Sequence, residues 1–490
     1  MNDDGDSQSD ELSRQDERTL AELGYSQELD RDLGAFSNLA ISLSIICILA
    51  GGVTSFSLGF CAVGGASIGL GWPISCLFSI TVALTMAQVA SAFPTAGGLY
   101  HWAAILGGRG WGWTTAWFNL AGLVTVLAAI DVGAVRFAAD AFGWSDRLDG
   151  VTQLIAVAVM AGSQAWINHR GIRLTARLTD FSGWWILGTS AALTLALILL
   201  APTLDPTRLL RFENFSGPAG GDIWPRSDSL GLLFALGLLL PAYTITGFDA
   251  SAHVAEETKG AAVNVPRGIV RSVVISGIAG WIFLSAVVLA APSTSDAAAQ
   301  GEGAFRSILQ SVLPRPLHLA AVAAILVAQY LCGLATVTSA ARMAFAFARD
   351  GGLPASRAIR RVSPRYRSPA VAVWVVSVAA VLFTAWTPIY ATITAVCTIF
   401  LYVSYVIPIG LGCRAIGTRW TRFGPWNLGR WYLVLAIPAI LGCVILVLIG
   451  MQPPNQKSVL VLGLFTATLG ACWWGGARDR FAGPPVTTIR

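Results

Sequence analysis

Long apolar runs without Asp, Glu, Lys or Arg dominate the pattern of the chain. The first covers residues 33–108 and has a natural break in the turn-rich segment 93–98. The others follow at 110–130, 150–169, 181–204, 229–248, 272–295, 316–341, 368–413, 431–456 and 458–477. A helix of about 20 residues crosses the ~30 Å hydrocarbon core of a bilayer. With 368–413 divided near Trp386, Thr387 and Pro388, the pattern predicts an all-α integral membrane protein with twelve spans, numbered here 1 to 12.

The composition excludes several classes of protein. Hydrophobic residues make up 55% of the chain, charged residues make up 12%, and the mean hydropathy is +0.65. Soluble domains carry about 25% charged residues, so an ordinary soluble enzyme is excluded and a lipid bilayer is the expected surrounding. Nucleic acid is not an expected partner, because no basic patch is interleaved with base-stacking aromatic residues. The eight cysteines form no CxxC or Cys/His metal pattern, so neither a metal nor a cofactor is expected.

Charge is distributed unevenly and predicts the orientation. Residues 1–33 contain eleven acidic residues and three arginines. With this end inside, the inner loops and the C-terminal tail hold 21 basic residues and the outer loops hold 7, in line with the positive-inside rule. We therefore expect a multi-pass protein of the cell membrane with both termini cytoplasmic. Its parts are an acidic tail at 1–35, a membrane domain at 36–477 and a C-terminal tail at 478–490.

Two spans contain residues that interrupt helices. Gly51 and Gly52 fall near the centre of span 1, and span 6 contains Pro241, which lacks a backbone donor, followed by Gly247. Secondary transporters place substrates where two broken helices meet in matching positions of an inverted repeat. Five-span repeats over 36–201 and 229–412, followed by spans 11 and 12 at 430–477, give spans 1 and 6 such positions. The alternative is that the glycines only allow close helix packing.

Two acidic residues fall inside predicted spans. Asp131 lies in span 3 and Asp249 directly follows the break in span 6. A charge at the bilayer centre costs about 2.5–3.5 kcal/mol on insertion scales, so each is a candidate to face a bound ammonium or to carry a coupling proton. The structural alternatives are a polar partner for Asp131 and a capping role for Asp249 at the second half of span 6.

Several motifs resemble one transporter family. The most specific is GFDASAHVAEETK at residues 247–259, which continues to 265–269. Further similar segments lie at 20–29, 90–100, 168–173 and 345–354. In combination they resemble the amino acid–polyamine–organocation superfamily, and within it the amino acid/choline transporter family of GABA and choline permeases. The resemblance extends from about residue 20 to residue 412.

The resemblance implies the leucine-transporter fold, with a substrate between spans 1, 3, 6, 8 and 10. Free amides of span 1 would receive a carboxylate, carbonyl groups of span 6 would meet an amine, and Phe248 would act as a gate or packing wall. With the two acids, the expected substrate-binding residues are Ala50, Gly51, Gly52, Val53, Asp131, Thr244, Ile245, Thr246, Gly247, Phe248 and Asp249. Glu256 and Glu257, with Arg267 and Arg271, suit an inner gate of ion pairs, or are solvated loop charges.

The coupling ion is open between proton and sodium, and we favour the proton. Sodium-coupled members of the fold use hydroxyls of span 8, and Thr338 and Ser339 lie in the corresponding region. Some proton-coupled relatives use a lysine in span 5, which is missing here. Proton coupling would then run through Asp131 or Asp249.

The sequence therefore predicts a secondary active permease that moves an amino acid or a related small amine such as GABA by alternating access, with ion-coupled symport. The alternatives are a choline or polyamine transporter of the same fold, with Tyr330, Tyr402 or Tyr405 facing the cation, and a transporter-like nutrient receptor. A membrane-embedded enzyme needs a converging nucleophile, base or metal set, which four scattered histidines do not supply.

Overall fold

The computed structural model describes residues 14–386 and 390–485. Three predicted features lie at least partly outside these residues. They are the first part of the acidic tail (1–13), the division of the run 368–413 at Thr387 and Pro388, and the end of the C-terminal tail (486–490).

The described residues fold into α-helices, with short 3₁₀- and π-helical turns and no β-strand among them. The helices of the first half are α1 (Ala35–Ile45), α2 (Gly51–Thr54), α3 (Phe56–Val63), α4 (Trp72–Ala92), α5 (Leu99–Gly107), α6 (Arg109–Ala141), α7 (Gly150–His169), α8 (Ile172–Leu200), α9 (Leu230–Gly237), α10 (Leu239–Thr244), α11 (Ala250–His253) and α12 (Ala261–Ala290). Those of the second half are α13 (Thr294–Ala298), α14 (Ala304–Val312), α15 (Arg315–Arg349), α16 (Ser356–Ile359), α17 (Ala370–Trp386), α18 (Tyr390–Ala415), α19 (Trp431–Gly450), α20 (Gln456–Cys472) and α21 (Arg478–Arg480).

Among the described residues, nine helices are long and apolar enough to cross a membrane. They are Ser67–Ala92, Arg109–Ala141, Gly150–His169, Ile172–Leu200, Ala261–Ala290, Arg315–Arg349, Thr392–Ala415, Trp431–Gly450 and Gln456–Arg480. Four shorter apolar helices complete the set: Ala35–Ile45, Gly51–Val63, Leu230–Thr244 and Ala370–Trp386. Helices satisfy their own backbone groups, which is what a lipid environment requires.

Two long helices continue through charged residues at which the apolar runs end. Helix α6 passes Asp131 and α15 passes Arg342, and both side chains are fully buried and hydrogen-bonded inside the protein. A charge that has a polar partner in the interior does not expose itself to lipid and does not end a helix. Runs free of charge therefore locate these spans correctly but make them too short.

Both predicted interruptions are present, and one is shifted. Helix α1 ends at Ile45 and helical backbone resumes at Gly51, so the break covers 46–50 and precedes the glycine pair instead of coinciding with it. The amide of Gly51 already donates to the carbonyl of Cys47 at 2.8 Å, which is a helical bond. The second break covers 245–249, between α10 and α11, where it is expected. Gly247 has a φ of +85° there, a conformation that favours glycine.

The helical bundle has two ends, and they differ in what covers them. The tail face carries residues 14–33, 94–98, 255–260 and 349–356, joined by contacts such as the hydrogen bond from the Leu33 amide to the Glu257 carbonyl (2.9 Å). The opposite, vestibule face carries the connecting segments 140–148, 205–228 and 294–303. There Arg306 forms an ion pair with Asp140.

Candidate functional site

The two interrupted helices meet at their breaks. A Cβ atom built on Gly51 would lie 3.0 Å from the Cα atom of Thr244, so the start of α2 and the end of α10 are in backbone contact. Gly52 faces the side chains of Thr244 and Leu284 at ordinary contact distances. Gly51 therefore permits the close approach of the two segments, whereas a side-chain carbon at Gly52 would make ordinary contacts. The pair lies in the first turn after the break at 46–50, and not in the break itself.

The first interruption leaves two of the four expected amides without a backbone partner. Ala50 and Gly51 both donate to the carbonyl of Cys47, at 2.9 and 2.8 Å. The amides of Gly52 and Val53 lie in the first turn of the helical stretch Gly51–Val63, and no backbone carbonyl of the described residues accepts from them. The first amides of a helix carry the positive end of its dipole, so this turn favours an anionic group.

The second interruption presents the opposite polarity. No amide within the described part of the chain donates to the carbonyl groups of Thr244, Ile245 and Thr246. The Thr244 and Thr246 hydroxyls donate to the carbonyl groups of Leu240 and Tyr243 in α10, at 2.8 and 2.7 Å. Free carbonyl oxygens at the C-terminal end of a helix favour a cation or an ammonium group.

A cavity of about 320 Å³ extends from the vestibule face to Val53 and Thr54, at the end of α2. Val53, Thr54 and Gly133 line its inner part, and a cavity of this volume falls at the lower end of small-molecule sites, about 300–1,000 Å³. Arg136 and Glu302 line the cavity too, with 3.5 Å between Nη1 and Oε2, and so do Asp140 and Arg306. The cavity thus joins the end of α2 to a charged mouth.

Asp249 is the centre of a buried polar cluster. Its Oδ1 accepts a hydrogen bond from the Tyr405 hydroxyl at 2.8 Å, and its Oδ2 accepts one from Nδ2 of Asn119 at 2.9 Å. Nε2 of His253 lies 3.2 Å from Oδ2. The Asp249 side chain forms no capping bond with α11, so its structural alternative does not hold. Phe248 packs on the Tyr405 ring, with centroids 5.0 Å apart.

Asp131 is fully buried in a different environment. Its Oδ1 accepts from Nε2 of Gln164 at 3.0 Å, whereas its Oδ2 has no hydrogen-bond partner among the described residues. Asp131 and Asn119 are twelve residues apart on α6. At 1.5 Å per residue, the level of Asp131 is about 18 Å from that of Asn119, which contacts Asp249. The two acids therefore belong to separate sites.

The two hydroxyls proposed for sodium differ in their surroundings. Thr338 donates to Oδ1 of Asn168 on α7 at 2.7 Å and accordingly faces that helix. Ser339 is buried, and its hydroxyl has no hydrogen-bond partner within the described residues. Tyr330, one of the tyrosines considered for a quaternary ammonium, shares a 2.9 Å hydrogen bond with Ser163.

Two buried ion pairs close the tail face, with partners other than those expected. Glu257 forms a two-pronged pair with Arg342, with atoms 2.8 and 3.0 Å apart and both side chains fully buried. Glu256 forms the same kind of pair with Arg349, at 2.9 and 2.8 Å. The expected partners, Arg267 and Arg271, have exposed side chains and do not take part. The glutamates thus connect the segment after α11 to α15.

The pair of Glu256 remains charged despite burial. Burial favours the neutral form of the carboxyl, but the Arg349 guanidinium and the amide of Ala96 outweigh it and hold the pKa of Glu256 below its ordinary value. The Ala96 amide donates to Glu256 at 3.1 Å. Arg349 also lies over the ring of Tyr25, 3.9 Å from its centroid, so this pair includes the N-terminal segment.

The N-terminal segment 14–33 is bound to the tail face rather than free. The Tyr25 hydroxyl donates to Asp350 at 2.8 Å, and Arg31 donates to the carbonyl of Thr258 at 2.7 Å. The carboxylate of Asp16 accepts from the amides of Gly260 and Ala261 at the start of α12, at 2.7 and 3.0 Å. This segment lies over the Glu256 and Glu257 pairs and covers them.

Sequence reasoning missed several partners of the site. Asn119, His253, Arg342 and Arg349 are not among the site residues that the sequence predicts. A signal exists for His253, because it follows Asp249 by four residues and such positions share one face of a helix. For Asn119 and the two arginines, which come from α6 and α15, the sequence carries no comparable signal.

Apolar helices, two of them broken and in contact at Gly51 and Thr244, are typical of the helical membrane transporters. The chain belongs to the Amino acid permease family, whose model matches residues 33–471. It is 33% identical to the amino-acid permease BAT1 of Arabidopsis thaliana, over 95% of each chain, and 33% identical to a BAT1 homolog of Oryza sativa subsp. japonica, over 95% of this chain and 94% of the relative.

A third relative is the GABA-specific permease of Saccharomyces cerevisiae, 28% identical over 73% of this chain and 64% of that protein. These findings confirm the resemblance seen in the sequence. They establish an amino acid transporter of a membrane, built of helices, and not an enzyme.

Proposed function

We propose that this protein is a secondary active permease that moves an amino acid or a related small amine such as GABA across the cell membrane by alternating access. One observation carries the proposal. The helical turn that begins at Gly51, with two amides that lack a backbone partner, contacts Thr244, the first of three residues whose carbonyl groups lack one. The amides suit a carboxylate and the carbonyls suit an ammonium, and an amino acid carries both groups.

The relatives support the choice of substrate class. Two of the relatives are named amino-acid permeases and one is named a GABA-specific permease. GABA also carries one carboxylate and one ammonium group. Backbone dipoles recognise these charged ends and make no demand on what lies between them, so we include neutral amino acids with GABA in the expected class.

Alternating access rests on a proposed repeat. We infer twelve spans from the nine long helices, the two interrupted helices α1–α3 and α9–α11, and α17. Repeats over 36–201 and 229–412 then pair the two interrupted helices, and α19 and α20 follow as additions. In such folds spans 1, 2, 6 and 7 rock against spans 3, 4, 8 and 9.

We further propose that the tail face is cytoplasmic. The loops on this side hold most of the arginines, as the positive-inside rule requires. The buried Glu256 and Glu257 pairs would then close the inner side while the 320 Å³ cavity opens outward. We take the coupling ion to be a proton, because Asp131 and Asp249 are both buried acids and the Thr338 hydroxyl is engaged with Asn168.

Uptake by the purified protein in proteoliposomes tests this function. Radiolabelled GABA is offered under a proton gradient and then under a sodium gradient, with unlabelled amino acids, choline and putrescine as competitors. We expect accumulation with the proton gradient and competition by compounds that carry both a carboxylate and an amine. Competition by choline alone would contradict the amide site. No uptake by folded protein would favour the nutrient receptor or an unrelated substrate.

Asp249→Asn is expected to abolish accumulation against a gradient while the protein remains folded in the membrane. Asparagine has nearly the shape of aspartate but holds neither a negative charge nor a transferable proton. The measurement is concentrative uptake under a proton gradient, with size-exclusion chromatography as the test of folding. The matched control is Asp228→Asn, an exposed acid of the vestibule face, which is expected to transport as the parent does. Unchanged accumulation by Asp249→Asn would remove this residue from the mechanism.

A further inference from the structure

The hydrogen bonds of His253 determine how many protons the buried cluster holds. Nδ1 of His253 lies 3.2 Å from the carbonyl oxygen of Ala96. A carbonyl oxygen only accepts hydrogen bonds, so Nδ1 carries a hydrogen. Nε2 faces Oδ2 of Asp249 at 3.2 Å. A lone pair on Nε2 facing an ionised carboxylate would repel it, so this contact requires one proton, on either the imidazole or the carboxyl group.

The other donors show where the negative charge lies. The Tyr405 hydroxyl accepts from the Gly247 amide at 3.1 Å and directs its own hydrogen to Oδ1 of Asp249. Nδ2 of Asn119 donates to Oδ2. With His253 as a third donor, the carboxylate receives three hydrogen bonds, which is the environment of an ionised group. Both oxygens of Asp249 are thus engaged by donors of the protein itself.

The cluster joins parts of the protein that belong to different spans. Asp249 and His253 lie at the two ends of α11 in span 6, and Ala96 lies in the turn after span 2. Asn119 lies on α6 in span 3, and Tyr405 lies on α18 in span 10. Under alternating access, the bond from Asn119 to Asp249 crosses the boundary between the moving spans and the spans they rock against. His253 lies on the same short helix as Asp249 and moves with it.

We propose that Asp249 and His253 together form the site of the coupled proton, an inference that rests on the proposed function. The pair holds one proton while the tail face is closed, as it is in this structure. Opening of the tail face separates Asp249 from Asn119 and exposes the pair to water. One proton then leaves His253, and the carboxylate and the neutral imidazole remain. The pair takes up its next proton from the vestibule side, and the protonated pair stabilises the closed tail face, so each cycle moves one proton inward.

Other ionisable groups near α11 already have partners. Among the described residues of the elements packed against it, α18 contributes Tyr405, the segment after α11 contributes Glu256 and Glu257, and α15 contributes Arg342 and Arg349, which pair with those glutamates. His101 of α5 is bonded to Asp350. The residues of α1 and α12 that contact Ser251 of α11 are uncharged. They are Asn38, Ser42 and Gly268. The proton is therefore assigned to the pair itself.

The first test measures protons and substrate together. Proteoliposomes contain a trapped pH-sensitive dye, and radiolabelled GABA is added outside. In His253→Gln, glutamine can donate to Asp249 but cannot hold the extra proton, so we expect the substrate-dependent proton flux to fall by about tenfold or more. The control is His318→Gln, a histidine of α15 whose Nε2 has no hydrogen-bond partner among the described residues. We expect its proton flux to equal that of the parent.

The outcomes separate this inference from the proposed function. If the parent protein moves no amino acid under a proton gradient, the proposed function fails. If the parent moves substrate with protons and His253→Gln retains the same proton-to-substrate ratio, the proposed function stands and the proton pair is overturned. A loss of proton flux in Asp131→Asn but not in His253→Gln would place the proton at Asp131 and would also overturn it.

A second measurement does not depend on whether His253→Gln folds. Ala255→Cys, in a Cys472→Ser background, introduces a thiol at a position that is buried while the tail face is closed. With the Asp249–His253 pair intact, a water-soluble maleimide should label this thiol several-fold faster at high pH, where the pair has lost its proton, than at low pH. Rates are referred to those of a free thiol at each pH, because thiolate formation also depends on pH. Equal corrected rates at both pH values would overturn the proposal.

Discussion

Arg342→Met is expected to lower the free energy of unfolding by about 3–5 kcal/mol, because it leaves a buried carboxylate without its charge partner. Nε and Nη2 of Arg342 lie 2.8 and 3.0 Å from the two oxygens of Glu257, and both side chains are fully buried. The carboxylate has lost its hydration, and among the described residues this arginine alone bonds to its oxygens. The measurement is SDS-induced unfolding in mixed micelles, followed by tryptophan fluorescence.

Two comparisons identify the cause of that loss. The double variant Arg342→Met with Glu257→Met should recover most of the stability, because two apolar side chains leave no uncompensated charge. Arg173→Met breaks the exposed pair with Asp32 and should change stability little. If the single and double variants lose the same stability, the unpaired charge is not the cause and the lost packing of the arginine is.

Gly247→Ala is expected to lower the free energy of unfolding by about 2–6 kcal/mol, from two costs of about 1–3 kcal/mol each. Gly247 has a φ of +85°, which a side chain makes unfavourable, and a Cβ atom there would lie 2.2 Å from Cγ2 of Ile45. The second break would have to move away from the end of α1. We therefore expect substrate uptake to fall in parallel with the SDS midpoint.

The matched control for that change is Gly231→Ala in α9, part of the same interrupted helix. A Cβ atom at Gly231 meets nothing within 4 Å. Alanine is preferred to glycine inside a helix by about 1 kcal/mol, so the control should be neutral or slightly stabilising. Equal effects of the two substitutions would show that neither the conformation of Gly247 nor its contact with Ile45 limits the structure.

The apolar runs were sufficient to locate the helices, because lipid and core packing both select long apolar segments. They were poor at locating helix ends. Asp131 and Arg342 end apolar runs but lie inside α6 and α15. Gln164 donates a hydrogen bond to Asp131, and Glu257 forms an ion pair with Arg342, so both side chains have polar partners in the interior. Whether a charged residue ends a helix depends on a partner from another helix, which a single apolar run does not contain.

The site was predictable in the parts that depend on local backbone chemistry. Pro241 and Gly247 locate the second break, because one lacks a donor and the other adopts a positive φ. The first break was placed too late, at the glycine pair instead of at 46–50. A glycine can either interrupt a helix or allow two helices to pack closely. The contact of Gly51 with Thr244 distinguishes these two roles, and Thr244 lies almost 200 residues away in the sequence.

The inner ion pairs illustrate the same limit. Glu256 and Glu257 were candidates for a gate, and their neighbours in sequence, Arg267 and Arg271, were the expected partners. The structure pairs them with Arg349 and Arg342 instead. Helix α12 begins at Ala261 and directs its early arginines to the surface, whereas α15 brings its arginines back to the tail face after crossing the bundle.

Hydrophobic pattern, glycine and proline positions and family motifs thus define the class of this protein, its helices and the positions of two breaks, since each depends on short stretches of chain and on the cost of placing polar groups in lipid. The pairing of Asp249 with His253, Asn119 and Tyr405, the separation of Asp131 from that cluster, and the covering of the tail face by residues 14–33 follow from how the helices pack. These features join residues from distant parts of the chain, and the geometry between helices decides which polar groups find partners.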